Sequence, residues 1–290
     1  MVLPCLASQV CLLCSLLWKV LADILIVKDG VPRDCATPGC GAEKDTSIIR
    51  QKELGTNKAS ALGRTNGFGP VDAASAIATF LGTSNSSTST STNPPSSSQA
   101  VNTNNKRRDL LSSLAGRTAA KNQGTGATSQ GTKTPGGTIE GGVAKAAGTG
   151  ANSGLPTCSD TGLITMTFHQ VNQDGAGPLT ASIDPTSGGK DPNAFQNAQV
   201  VMNVPGIGIG GLSAATTTDF PVQVQMPVGM TCSGSVGGAT NVCIVRMQNS
   251  ALAGPFGGSA AFTMSAGAKK RAIEYNLRKR HMARGLFGRA

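Results

Sequence analysis

The sequence predicts a mainly β protein: an antiparallel β-sandwich core joined to a disordered Ser/Thr/Gly-rich linker and ending in a short basic helix. Three observations predict it. Segments of period two recur between Gly154 and Ala266, Gly/Pro-rich turns separate them, and the long polar tract before them has too few apolar residues for a core.

Taken from the N-terminus, residues 1–22 read as a secretory signal. An apolar run from Val10 to Trp18 is followed by Val20-Leu21-Ala22, which fits the small-residue rule for cleavage after Ala22. No basic residue precedes the run, three cysteines sit inside the signal segment, and Lys19 interrupts what would otherwise approach a membrane span, so a wrongly assigned first exon is the alternative. Cleavage there leaves no integral membrane segment and predicts a secreted, extracellular or cell-wall-associated protein.

Residues 23–81 form a small N-terminal segment expected to pack on the core. It holds the turn-rich "DGVPRDCATPGCG" and a short helix candidate, "VDAASAIATFL", Val71 to Leu81. Residues 82–153 are expected to be a low-complexity linker, opening on "GTSNSSTSTSTNPPSSSQ". Such a tract buries too little apolar surface to offset its ordering entropy and resembles an O-glycosylated stalk. It carries the N-glycosylation sequon at Asn85.

The sandwich core is placed at residues 154–266. In "DFPVQVQM", Phe220, Val222, Val224 and Met226 alternate with polar residues, the pattern of a sheet with one buried and one wet face, and Pro221 puts that strand at an edge or a beginning. Residues 163–171 and the runs 198–204, 241–247 and 259–264 read as further strands. Ile164, Met166 and Phe168 share one face of the first, so His169 falls on the other and reads as a polar residue on the wet face.

Five cysteines follow the signal: Cys35, Cys40, Cys158, Cys232 and Cys243. Two disulfides and one unpaired thiol are expected in an extracellular chain. The glycine-rich "SGSVGGATNV" between Cys232 and Cys243 suits a turn that brings their strands together; the pairing of the other three stays open. No cysteine or histidine spacing suggests zinc.

Charge and motifs exclude several classes. From Lys269 to the C-terminus eight cations stand against one acid, so this basic tail, residues 267–290, supplies +7 of the net +10. The remainder is near neutral and lacks interleaved basic and aromatic residues, so no nucleic-acid partner is expected. The pairs Lys270-Arg271 and Lys279-Arg280 are candidates for dibasic processing; a solvated helix and a surface for anionic membrane or wall polymers are the other readings. "GIGIGGLS", Gly206 to Ser213, lacks the strand and helix that a dinucleotide loop needs. "NQDGAGP" lacks the closing ligands of a calcium loop and reads as a tight turn. Only His169 and His281 exist, and no serine sits in a nucleophile elbow, so no hydrolytic triad can be assembled.

The stretches "DGVPRDCATPGCG…DTSIIR", "MTFHQVNQDGAGPLTASIDPTSGG", "NVPGIGIGGLSAATTTDFPVQVQMPVGMTCSG" and "KKRAIEYNLRKRHMAR" together resemble the secreted, appressorium-associated proteins of the Gas/Mas type from pathogenic filamentous fungi. The resemblance implies a fungal virulence protein of the infection stage, acting at the cell surface or host interface by binding or adhesion, with no established enzymatic activity and no cofactor. Its expected partner is fungal or host wall polysaccharide or a host surface. A second likeness lies in "PVGMTC…CIVR", Pro227 to Arg246, which resembles the closing strands of lytic polysaccharide monooxygenases. It implies as the alternative a copper-dependent enzyme acting on chitin or cellulose, in which His169 would be one copper ligand beside an N-terminal histidine. Cleavage after Ala22 would expose Asp23 instead.

Overall fold

The structure is a computed structural model that describes residues 27–84, 127–207, 210 and 212–287. The expected signal segment and the Asn85 sequon lie outside the described residues. The described chain is mainly antiparallel β-sheet. In chain order the strands are β1 (Ser47–Ile48), β2 (Arg64–Thr65), β3 (Gly69–Pro70), β4 (Ala127–Thr128), β5 (Thr132–Lys133), β6 (Leu163–Gln170), β7 (Thr180–Asp184), β8 (Gln196–Asn203), β9 (Thr218–Gln225), β10 (Gly234–Val236), β11 (Ala239–Gln248) and β12 (Phe256–Thr263). The helices are α1 (Ala73–Leu81), α2 (Gly142–Ala146) and α3 (Ala266–Phe287).

Two sheets make the sandwich. In the first, the order runs β3-β2-β1-β12-β11-β7, and β10 pairs with β11 where β7 ends. In the second, β9 lies between β6 and β8, with short pairings from β4 to β8 and from β5 to β9. Strand β8 belongs to both: its residues 196–198 pair with β7, and 199–202 pair with β9 across a register shift at Val200/Met202. A bulge of this kind bends a strand and lets it turn the corner between packed sheets.

Alternation decides which side chains meet. Ile164 and Met166 of β6 and Phe220, Val222 and Val224 of β9 face Ala181 and Ile183 of β7, Cys243, Val245 and Met247 of β11, and Phe262 of β12. The intervening residues of the first sheet, Val242, Ile244 and Ala261, face the other way into a second cluster with Leu62, Ile77 and Phe80. Helix α1 supplies this outer layer. Asp72 caps it by accepting from the Ala74 N–H at 2.9 Å, and its buried Ala73, Ile77 and Phe80 recur at helical spacing.

Residues 127–153, expected within the linker, carry β4, β5 and α2, with Ala146 buried beside Phe80. Composition misled here because small residues were doing the packing. A side chain at Gly150 would sit 2.3 Å from the Phe80 ring, so a glycine is what lets this backbone cross α1. The C-terminal helix runs far longer than a short element, 22 residues.

Ile77 is fully buried between α1 and the first sheet, so Ile77→Ala should cost about 2–5 kcal/mol, read as a lower urea midpoint with an unchanged slope. Asp184 closes β7 by accepting from the Thr186, Ser187 and Gly189 N–H groups at 2.8, 2.8 and 2.7 Å and from the Ser187 hydroxyl. Burial alone raises its pKa, but the hydrogen bonds from the Ser187 hydroxyl and the three backbone groups outweigh that, and the carboxyl sits below its ordinary 3.8. Its folded-state value being lowered, the contribution to stability is complete above 3.8 and is lost as pH falls through the folded value. Asp184→Asn should therefore destabilise the neutral protein by about 1–3 kcal/mol, with the gap to wild type closing in acid, as followed by thermal melts across pH.

Candidate functional site

One end of the sandwich does not close. The last residues of β6 and β11 and the first residues of β12 meet there, and Gly257, Gly258, Ser259 and Ala260 are too small to fill the space opposite Met166 and Phe168. A cavity of about 110 Å³ results, with mainly apolar walls that include Val222, Val245 and Met247. The N-terminal segment covers it with Val27, Arg33, Glu43, Asp45 and Ile48.

The cover is held by charge. Arg33, buried, donates from Nη1 to Asp45 Oδ1 at 3.2 Å and from Nη2 to Asp45 Oδ2, while its Nε donates to Glu140 Oε2 at 3.3 Å. Glu43 accepts from Asn172 Nδ2 at 2.6 Å, which ties the cover to the turn after β6. That turn is the "NQDGAGP" stretch: Asn172 caps a single 3-10 turn, Gln173–Gly175, by accepting from the Asp174 N–H. Gln170, fully buried, donates from Nε2 to Asn172 O, Ser213 Oγ and Ala215 O, and so anchors the turn to the end of the glycine-rich loop. No helix follows that loop among the described residues; the next element is β9.

His169 lines this cavity. Alternation turns it away from the main core, but its side chain is only 14% exposed, so the expectation of a wet-face residue is corrected: the end of the fold where β6 stops is covered. Its Nδ1 lies 2.7 Å from Asp219 Oδ1, directly across the β6/β9 pair. A carboxylate only accepts, so the neutral ring carries its proton on Nδ1 and leaves Nε2 as an acceptor. That Nε2 is buried without a hydrogen-bond partner, and so is Ser259 Oγ on the facing sheet. Buried polar atoms are normally satisfied; Ser259 shares the strand face of Ala261 and points to the outer layer, while His169 Nε2 is an unpartnered polar atom of a residue that lines the cavity. Sequence reasoning found His169 but not Arg33 or Asp45, which carry no local motif.

The cysteines fall as two disulfides and one thiol among the described residues. Cys35 bonds Cys40, clamping the turn-rich segment, and Cys232 bonds Cys243, fastening the loop before β10 to β11. Cys158 is free and buried. Burial pushes its thiol pKa up, although hydrogen bonds involving the backbone of Ser265 and of Cys158 itself pull the other way. Lys270, Arg271, Lys279 and Arg280 all lie on α3. Processing proteases act on extended chain, so cleavage at either pair requires local unwinding of this helix.

The metal-ligand geometry is limited. Among the described residues no three His, Cys, Asp or Glu side chains are grouped to share a metal ion. His169 itself has the orientation of a metal ligand, with a carboxylate on one ring nitrogen and the other free. No helix among the described residues is long and apolar enough to cross a membrane.

These features define a disulfide-tied β-sandwich with a covered cavity at one end. The chain belongs to the Egh16-like virulence factor family, whose profile matches residues 22–257. It is 57% identical over 258 residues to the appressoria-specific virulence factor GAS2 of Pyricularia oryzae, covering 89% of this chain and 83% of that protein. It is 43% identical over 109 residues to the appressoria-specific virulence factor GAS1 of the same fungus, covering 38% of this chain and 42% of that protein. No solved structure matches the chain.

Because Cys158 is sealed under the sandwich, a maleimide should label it only after denaturation, and Cys158→Ser should abolish that labelling without changing the two disulfide masses in a peptide map.

Proposed function

We propose that the chain is a secreted virulence protein of the infection stage that works by binding wall polysaccharide at the interface between fungus and host. Family membership and the names of its relatives support the setting, and the two disulfides suit an oxidising, extracellular compartment. One observation carries the binding reading: His169 Nε2 is buried and unpartnered, and His169 lines the end cavity.

The cavity selects its ligand by size and polarity. At about 110 Å³ it is smaller than the ~150 Å³ that holds a benzene ring in an engineered core, so it takes one end or pendant group of a polymer. Nε2 of a neutral His169 ring pairs with an O–H or N–H, and the apolar walls take carbon. A sugar end group offers both.

The test is binding of the secreted protein to insoluble chitin and cellulose. His169→Ala should weaken binding about tenfold, while Ser259→Ala, which removes a hydroxyl on the outer face of β12, should leave it as in wild type. Equal binding by wild type and His169→Ala would refute this reading.

The orientation of His169 favours a second reading, a copper site with the polysaccharide monooxygenase activity that such a site can support. His169 fits as one imidazole ligand, and the remaining ligands would come from outside the described residues. Copper titration by calorimetry decides it: tight binding lost in His169→Ala supports this reading, and binding indifferent to that substitution ends it.

A further inference from the structure

Helix α3 begins on the sandwich and then leaves it. Ala268 and Ala272 are buried, and Asn276 Nδ2 donates to Gly229 O at 2.9 Å. From Leu277 through Arg284 every residue is exposed. This stretch holds Arg278, Lys279, Arg280 and Arg284, and none of them has a carboxylate partner among the described residues. We propose that these outer turns of α3 are a docking surface for an acidic polysaccharide, a polymer of uronic acid.

The helix is suited to stand there unsupported. Arg284 lies in its last turn, where the backbone dipole is negative, and Glu274 precedes Arg278 by four residues, the favourable order for an acid and a base on one helix face. Against that, Arg280 and Arg284 repel each other one turn apart. A chain of carboxylates relieves this repulsion, and the planar guanidinium groups can grip each carboxylate with two parallel hydrogen bonds. Arg280 and Arg284 share one face about 6 Å apart along the axis, enough to engage adjacent residues of an extended polymer, and Arg278 and Lys279 flank them around the helix.

The arrangement separates this partner from two other polyanions. A membrane-binding helix needs one apolar stripe. Here exposed Ile273 and Leu277 lie on one side and exposed Tyr275 and Met282 lie roughly 160° around the helix. Nucleic acid is disfavoured by compartment, since the Cys35–Cys40 and Cys232–Cys243 disulfides belong to an oxidising, extracellular setting where the abundant polyanions are carbohydrate. This surface is separate from the end cavity and takes a charged ligand through exposed cations, so it stands or falls independently of the cavity reading.

The experiment is retention of the full secreted chain on immobilised polygalacturonate through a salt gradient, beside neutral cellulose. Wild type should be held at low salt and released as salt rises. Replacing Arg278, Lys279, Arg280 and Arg284 together by Gln should lower affinity about tenfold or more, while lysine at the three arginine positions keeps most of the binding. Since these side chains are exposed, both variants should melt as wild type does, which separates lost binding from lost folding. The proposal is overturned if the glutamine variant binds polygalacturonate as wild type does. It is overturned equally if phosphatidylserine vesicles or duplex DNA, at matched charge, displace the protein from the column more effectively than free polygalacturonate.

Discussion

From Val242 to Met247, strand β11 has no side that faces water, and the rest of the fold is arranged to satisfy it. Its edges are taken by β12 on one side and by β7 and β10 on the other. One face, with Cys243, Val245 and Met247, meets the second sheet; the other, with Val242 and Ile244, needs its own cover. Exposing either apolar row would cost on the order of 1.5–3 kcal/mol per large side chain. The outer layer of α1, the segment around Leu62 and residues 142–155 exists to prevent that. Arg246 fastens it: buried on β11, it donates from Nη1 to Ala61 O at 2.6 Å and stacks its guanidinium 4.2 Å from the Phe195 ring centroid. Burial pushes its pKa down, yet a guanidinium stays a cation at physiological pH.

The same N-terminal segment that covers β11 also reaches the end cavity, so stability and recognition share one piece of chain. The buried Arg33–Asp45 pair is central to that arrangement. A buried ion pair adds little net stability, but loss of one partner strands a charge and costs about 3–5 kcal/mol. The pair therefore holds the cover in a single position over His169. Asn249 does similar work from the opposite wall, donating to Asp174 O and Ala176 O and accepting from Ala251 and Phe256 N–H groups, which fixes the turn after β6 against the start of β12.

The strands of the core were legible because their chemistry is local. Phe220, Val222 and Val224 alternate in the chain and all point inward in the fold, the predicted strand at 241–247 lies inside β11, and that at 259–264 overlaps β12 but for Met264. Strand β7 escaped because Thr180–Asp184 is short and sits next to a proline and glycine cluster that reads as turn. Residues 127–153 escaped for a different reason. Their glycines and alanines look like low complexity in the sequence and become close-packing contacts only when Phe80 or Phe220 lies above them.

By itself the sequence determined the β class, the helical face of Ala73, Ile77 and Phe80, the basic character of the C-terminal helix and the family to which the chain belongs, since each is written in spacing, composition or extended identity. The candidate site is another matter. His169 reads as a wet-face residue until Arg33 and Asp45, more than a hundred residues before it, are laid over the end of its strand. Burial is a property of distances between remote segments, and only the tertiary structure decides those.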